Sequence, residues 1–417
     1  MSARTVLERC DELALVSALP DGYIERTYLT VEHKAANALA AQWMTEAGLA
    51  TWQDAAGNVC GRLEGERPGL PALLLGSHLD TVPQAGRYDG ILGVMIAIDV
   101  AARITASGGR LPFALELVGF GDEEGSRFGA TLLGSRALAG TWDSRWWPLA
   151  DADGVSLREA YAAFGLDPDA VGRAARRTGD VIGYLEAHIE QGPVLEERGR
   201  ALGIVTSIAG ARRMLITVTG RAAHAGTRYS LRRDALAGAA EAILAVESLA
   251  PDLGVIATVG RLAAQPGAVN VVAGCATLSL DLRAASDEVR DAGLEALLAE
   301  IEKICARRGL SVGVEQTHVA ETVHCDEALK AALAAAVAST GDGDPLELFS
   351  PPGHDAMALA SLTRVGMLFI RCAGGVSHHP EESVLAADVA LAIDAMHTAV
   401  LGLAERYGNE RYGKLSI

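Results

Sequence analysis

Aromatic residues make up only 5% of this 417-residue chain, and no block of Lys and Arg occurs anywhere in it. The formal net charge is −17. Nucleic acid is therefore not an expected partner, because binding its phosphates needs clustered basic side chains. The six cysteines (Cys10, Cys60, Cys275, Cys305, Cys325 and Cys372) are scattered, with no Cys-x-x-Cys pair. That spacing fits neither a structural zinc knot nor a disulfide framework. No uninterrupted apolar run reaches membrane-spanning length. The opening stretch, MSARTVLERCDELALVSAL, carries charge throughout an amphipathic pattern and lacks a signal peptide's apolar core and cleavage site. A cytoplasmic protein with no membrane partner is expected. Internal repeats and low-complexity segments are missing too.

What the chain does have is 50% hydrophobic residues, with abundant alanine. Such a composition suits helices packed on sheets, and the length suggests two or three domains. Residues 4–18 and 33–48 read as helices, 51–63 as a hairpin, 73–75 as a buried strand, 91–104 as a helix and 113–121 as a strand. Strands alternating with helices predict an α/β fold with a mainly parallel sheet. Residues 141–180, with Trp142, Trp146 and Trp147 near the front, read as a helical excursion without assignable chemistry. A short strand from 184 ends in a histidine and a Gly-Pro stop.

Near Gly210 the texture changes. Residues 213–219 alternate, as a half-exposed antiparallel strand should. A loop with His224, a helix at 232–249, strands near 254–263 and 269–283, a helix at 286–307 and a strand at 311–319 follow. This order is the ferredoxin-like split β-α-β. It predicts an inserted α+β domain over 211–325, inside a first domain built from 1–210 and 326–417. Beyond it come a helix at 326–339, a strand at 366–371 and a helix at 386–405.

The chemistry gathers at predicted strand ends. His78, Asp89, Glu124, His188 and His378 are far apart in sequence, but in a parallel sheet those ends share one edge. Three imidazoles, one carboxylate and one shared carboxylate suit two divalent ions. Asp89, in Tyr-Asp-Gly-Ile-Leu-Gly before an apolar helix, is placed to bridge them; a plain N-cap is its alternative reading. Asp80 can accept the second ring N–H of His78 and fix its tautomer. Glu123, beside Glu124, is the natural general base. His379 is the rival of His378, and the Ser-His-x-Pro register favours His378.

Taken together, His78-x-Asp80, Asp89-Gly90, Glu123-Glu124, His188 and Ser377-His378-x-Pro380 resemble the di-metal aminoacylase and carboxypeptidase-like amidohydrolases. Asp-Glu-Glu-Gly-Ser-Arg-Phe (122–128), Glu-Ala-His-Ile-Glu-Gln-Gly-Pro (186–193), His-Ala-Gly-Thr (224–227), Val-Asn-Val-Val (269–272) and Gly-His-Asp-Ala (353–356) narrow the likeness. They resemble the branch of allantoate amidohydrolases, N-carbamoyl-L-amino acid hydrolases and β-ureidopropionases. Arg228-Tyr229-Ser230 departs from that pattern.

The resemblance implies a di-metal catalytic domain with an inserted dimerisation or lid domain. His78, Glu124, His188 and His378 are then terminal ligands, Asp89 the bridge and Glu123 the base. The two ions are Zn or Mn, with Co or Ni as alternatives. His224 is expected to reach the active site of a neighbouring subunit in a homodimer and stabilise an oxyanion. Asn270 and Arg283 are expected to hold a substrate carboxylate, and Gln191 to contact a metal-bound group or the ureido end. His354 and Asp355 are read as support near the site. The expected substrate is a small ureido carboxylate: allantoate first, an N-carbamoyl-L-amino acid second, a dipeptide or acylated amino acid less so. A non-catalytic metal-binding protein would have no need of Glu123.

Overall fold

The apolar run at 73–75 is the middle of a fully buried strand, Ala72–His78. In the computed structural model, which describes residues 2–20 and 22–413, this strand lies near the centre of a mixed sheet. Two compact units are present. The first comprises residues 1–206, 325–348 and 354–417, of which 1, 21 and 414–417 lie outside the described residues.

In the first unit four strands run parallel, in the order Ala114–Phe120, Ala72–His78, Val181–Ile189 and Val365–Ile370. Antiparallel strands flank them. Val59–Leu63 and Ala50–Gln53 lie on one side, and Leu202–Ile208 on the other. Registers of His78 with Phe120 and of His188 with Phe369 bring the carboxyl ends of all four to one edge. Near-continuous burial of these strands is what a sheet covered on both faces requires.

The helix Ile91–Ala106 is apolar on most of its surface and packs inside the core with Leu73, Leu75, Leu115 and Leu185. The last helix, Ala386–Gly413, is long and apolar enough over Ala386–Asn409 to match a membrane span by composition. Its Val389, Ile393, Met396 and Val400 are instead buried in that same core.

The first helix is shorter than expected, Ala3–Ala14. Residues 141–180 hold one helix, Leu157–Phe164, opened by a Ser156–Glu159 capping box, and otherwise short 3-10 turns. Their aromatic residues form a side cluster: the Trp142 ring lies 4.9 Å from that of Trp147, which in turn lies 4.9 Å from Tyr161.

The second unit comprises residues 207–324 and 349–353. It thus starts before 211 and takes in a short segment that the expected 326–417 continuation gave to the first domain. The reason is local pairing. Ser207 and Ile208 form an antiparallel ladder with His324 and Val323, and Arg283 Nη1 donates to Pro351 O at 3.0 Å. The main sheet of this unit has the order Leu262–Gln265, Cys275–Ala284, Gly210–Thr219, Ser311–Ala320.

Ala276, Leu278, Leu280 and Leu282 alternate inward against the helices Ala235–Leu249 and Asp287–Arg307. The strand expected over 269–283 is broken. Val271–Val272 pairs with Ala223–His224 in a separate ladder, and only Cys275–Ala284 joins the main sheet. At the break, the Gly274 amide donates to Gln265 O and its carbonyl accepts from the Gly220 amide. A turn therefore takes the hydrogen bonds a continuous strand would have used.

A candidate binuclear metal site

Each donor reaches the shared edge for a local reason. His78 is the last residue of its strand, and its Nδ1 lies 3.0 Å from the main-chain carbonyl of Asp80. His188 is next to last in Val181–Ile189, and its Nδ1 lies 2.8 Å from Ile189 O. Each ring N–H is thereby tied to a carbonyl, and both Nε2 atoms turn inward as acceptors, 3.5 Å apart.

Asp89 Oδ1 joins them, 3.3 Å from His188 Nε2 and 3.9 Å from His78 Nε2. Its other oxygen, Oδ2, lies 3.0 Å from His378 Nε2, which is 3.3 Å from Glu124 Oε1. Asp89 therefore offers one oxygen to a His78–His188 group and the other to a Glu124–His378 group. Within each group the donor atoms lie inside 4.8 Å of one another, close enough to hold a metal ion. The side chain of Asp89 caps nothing; Gly90 is the N-cap of Ile91–Ala106. Gly90 has to be glycine, because a Cβ there would come within 2.4 Å of the His78 ring.

Two further groupings exist, His78–Glu123–Glu124 and Glu186–His188–His354. The Glu186 oxygens are already used, one accepting from Ser77 Oγ at 2.8 Å and the other from the Ala356 amide at 3.3 Å. His354 is buried, with its ring centroid 4.4 Å from that of His188. Asp355 is buried as well and opens the short helix Asp355–Leu359.

The carboxylate of Asp80 does not hold the His78 ring as expected; its Oδ1 is 3.7 Å from Nδ1. It accepts instead from the amides of Glu123 at 3.0 Å and Glu124 at 3.2 Å. Two buried amides at the start of a loop need an acceptor, and this carboxylate satisfies both. It thereby fixes the main chain of the Glu123–Glu124 pair. Burial raises its own pKa to about 6, against the pull of those amides.

Glu123 is buried, and burial followed by the nearby charge of Glu124 pushes its pKa well above the usual carboxylate range. The hydrogen bonds to Asp89 and Glu124 lift the pKa of His378 to about 10. Burial works against the Asp89 charge, yet the bond from His378 and the rings of His188 and His78 hold its pKa below the usual range. For His78 burial has the opposite effect and keeps the ring neutral, the form a ligand needs.

Asp122, Gln191 and His378 all have positive φ, at 63°, 56° and 54°. Non-glycine residues seldom adopt this conformation, and it recurs where loops must aim side chains at a site. Gln191 Nε2 lies 3.0 Å from Asp89 Oδ2, 3.2 Å from Ser377 Oγ and 3.2 Å from His378 Nε2. His379 points elsewhere, toward Glu381 at 3.8 Å, so His378 is the histidine brought to Asp89 and Glu124.

His224, Asn270 and Arg283 belong to the second unit. His224 and Asn270 are exposed neighbours across a short ladder, with the Ala225 amide donating to Asn270 O at 2.9 Å. The Gly226 amide donates to His224 Nδ1 at 3.1 Å, which leaves the proton of the neutral ring on Nε2. Arg283 is half-buried and paired with Asp281, Nε to Oδ1 at 2.8 Å.

Motif reasoning did not single out Glu382, which is buried and accepts from the amides of Tyr88 and Asp89 and from Ser377 Oγ. Its only sequence signal is its place just after the Ser-His-x-Pro run.

A parallel-sheet edge with paired nitrogen and carboxylate donors and an adjacent buried glutamate is a hydrolase layout. Residues 74–402 match peptidase family M20/M25/M40, and the chain belongs to that family. It is 41% identical over 400 residues to an N-carbamoyl-L-amino acid amidohydrolase of Geobacillus stearothermophilus, spanning 95% of this chain and 98% of the relative. To an allantoate deiminase of Arabidopsis thaliana it is 41% identical over 419 residues, spanning 92% and 79%. The solved structure of a hydantoinase/carbamoylase family amidase from Burkholderia ambifaria matches with a TM-score of 0.89 at 32% identity, covering 97% of this chain and 98% of that one. The resemblance carried by the motifs is thereby borne out, down to a branch that holds both expected activities.

Proposed function

We propose that this chain hydrolyses a ureido C–N bond, with allantoate as substrate: R–NH–CO–NH₂ and water give R–NH₂, CO₂ and NH₃, here ureidoglycine, CO₂ and ammonia. The observation that carries the reading is Asp89 offering one oxygen to each of two donor groups, with buried Glu123 alongside. His78, Asp89 and His188 would hold one ion, and Asp89, Glu124 and His378 the other. The donor chemistry suits Zn²⁺ or Mn²⁺, with Co²⁺ or Ni²⁺ as alternatives. When bound, such ions supply Lewis acidity that polarises the ureido carbonyl.

Glu123 takes the proton of the attacking water and hands it to the leaving nitrogen. Its place in the buried site beside the ligand Glu124 suits a group that must act as base and then as acid. Asp80 holds the main chain of Glu123 and Glu124. Gln191, with its amide beside Asp89 and His378, contacts the ureido end. His224 stabilises the oxyanion, and a proton fixed on Nε2 supports that role.

Arg283 and Asn270 read the substrate carboxylate. Arg283 is held by Asp281 and by Pro351 O, which orient its guanidinium, a group suited to a carboxylate. Arg283→Ala is expected to cost at least ~100-fold in kcat/KM on carboxylate substrates and to erase the preference for acid over carboxamide analogue. Unchanged acid–amide discrimination would reduce Arg283 to a strand-edge charge.

The chain acts as a homodimer in which the second unit contributes His224 to its partner. The exposed edge strand Ser311–Ala320 supports this, since a two-fold axis can pair two such edges. Mixing inactive Glu123→Gln with inactive His224→Ala should restore about a quarter of the wild-type rate. Half of the exchanged dimers are mixed, and each mixed dimer has one intact site of two. No recovery despite demonstrated exchange would refute a shared site.

The deciding experiment compares turnover of allantoate, N-carbamoyl-L-amino acids and dipeptides by the metal-loaded enzyme. Allantoate should lead, N-carbamoyl amino acids should follow, and dipeptides should be inert. Dipeptide cleavage without ureido turnover would overturn the reading. The alternative, an N-carbamoyl-L-amino acid hydrolase, is favoured by the Geobacillus stearothermophilus relative and would show as reversed order of the first two.

A further inference from the structure

Glu382 is 3% exposed and lies four residues after His378. Its Oε1 accepts from two consecutive amides, Tyr88 at 2.8 Å and Asp89 at 3.1 Å. Its Oε2 accepts from Ser377 Oγ at 2.9 Å. Ser377 precedes His378, and its Oγ lies 3.3 Å from Asp89 Oδ2. One carboxylate thus ties the turn carrying Asp89 to the loop carrying His378.

Both loops are built to receive it. In the first, a Cβ on Gly86 would lie 2.2 Å from the Glu382 carboxyl carbon, so only glycine leaves room. In the second, the Glu382 amide donates to His379 O, the Ala373 amide donates to Ser383 O, and Cys372 Sγ lies 2.7 Å from Val376 O. The loop is cross-braced around the carboxylate, and His378 is held there at a φ of 54°. By contrast, His78 and His188 are oriented by main-chain carbonyls of their own strand ends, which do not depend on Glu382.

We propose that Glu382 is a positioning residue that sets the separation of Asp89 Oδ2 and His378 Nε2, and so tunes the Asp89–Glu124–His378 group selectively. The inference rests on the two-ion reading above. Asp89 is common to both groups, so losing Glu382 disturbs each. Only the second group also loses the hold on its histidine. Groups that orient ligands in this way typically account for about 10–100-fold in metal affinity.

The test is a titration of metal-free protein with Zn²⁺ or Co²⁺ alone, followed by calorimetry and by the Co²⁺ visible spectrum, with thermal unfolding of the metal-free forms in parallel. Wild type should bind two ions. Glu382→Ala should weaken the second ion by about 10–100-fold and the first by less. Ser377→Ala, which removes the link from Glu382 to the second loop together with the contacts of its Oγ to Asp89 Oδ2 and Gln191 Nε2, should shift the second ion in the same direction by a smaller factor. The double variant should lose less than the product of the two single effects, because both changes break the Glu382–Ser377 link. Glu382→Gln keeps an acceptor for the two amides and should recover most of the first-ion affinity.

A lower melting temperature with both affinities unchanged, or an equal loss at both positions, would overturn the proposal and leave Glu382 a structural residue. A wild type that binds fewer than two ions would instead overturn the two-ion reading on which it stands.

Discussion

Replacing Glu123 by glutamine is expected to lower kcat by about 10²–10⁴-fold while metal content stays at the wild-type level. Glutamine keeps the size of the side chain and a carbonyl oxygen but cannot carry a proton from water to the leaving nitrogen. The fold around it should survive, because the bond from Asp80 is to the main-chain amide of Glu123. The same variant separates two geometries. Glu123 also lies in a possible donor group with His78 and Glu124. If it were a ligand, Glu123→Gln would bind fewer ions. Kinetics with metal analysis on one sample decides, and near-wild-type turnover with metals bound would remove Glu123 from the chemistry.

Exhaustive chelation is expected to lower activity by more than about 10³-fold, and added Mn²⁺ or Zn²⁺ to restore it. Lewis-acid stabilisation is worth several kcal/mol, and each 1.36 kcal/mol is about a factor of ten. Without cations the site would have Asp89, Glu123 and Glu124 facing the carboxylate of the proposed substrate. Full turnover by protein verified free of metal would refute the assignment of His78, Asp89, Glu124, His188 and His378.

Much of this was legible in the sequence because strand ends advertise themselves. An apolar run followed by Gly-Ser-His, or by Gly-Asp-Glu-Glu, says both where a strand stops and what it delivers. The topology then does the rest, since parallel strands put those endings on one edge. What stayed hidden depended on main-chain groups. Nothing in the side chains at 123 and 124 says that their amides need an acceptor, so Asp80 was assigned to the wrong donor. Glu382 was invisible for the same reason, as two of its three partners are amides. The strands Leu202–Ile208 and Leu346–Ser350 have no ligand-type residue at their ends to mark them. The region 141–180 misled by composition: its alanines suit helices, but Gly154, Gly165, Pro168 and Gly172 divide it into turns.

The ladder between Ser207–Ile208 and Val323–His324 has a consequence for how this gene product can be taken apart. Directly opposed residues in an antiparallel ladder have Cα atoms only about 5 Å apart. The long excursion between them therefore leaves and returns through a narrow neck. Once that neck has formed, the rest of the chain feels it as a tight turn of fixed end-to-end distance, whatever lies beyond it. The closure entropy grows only slowly with the length of the excursion, by about 0.6 kcal/mol per doubling.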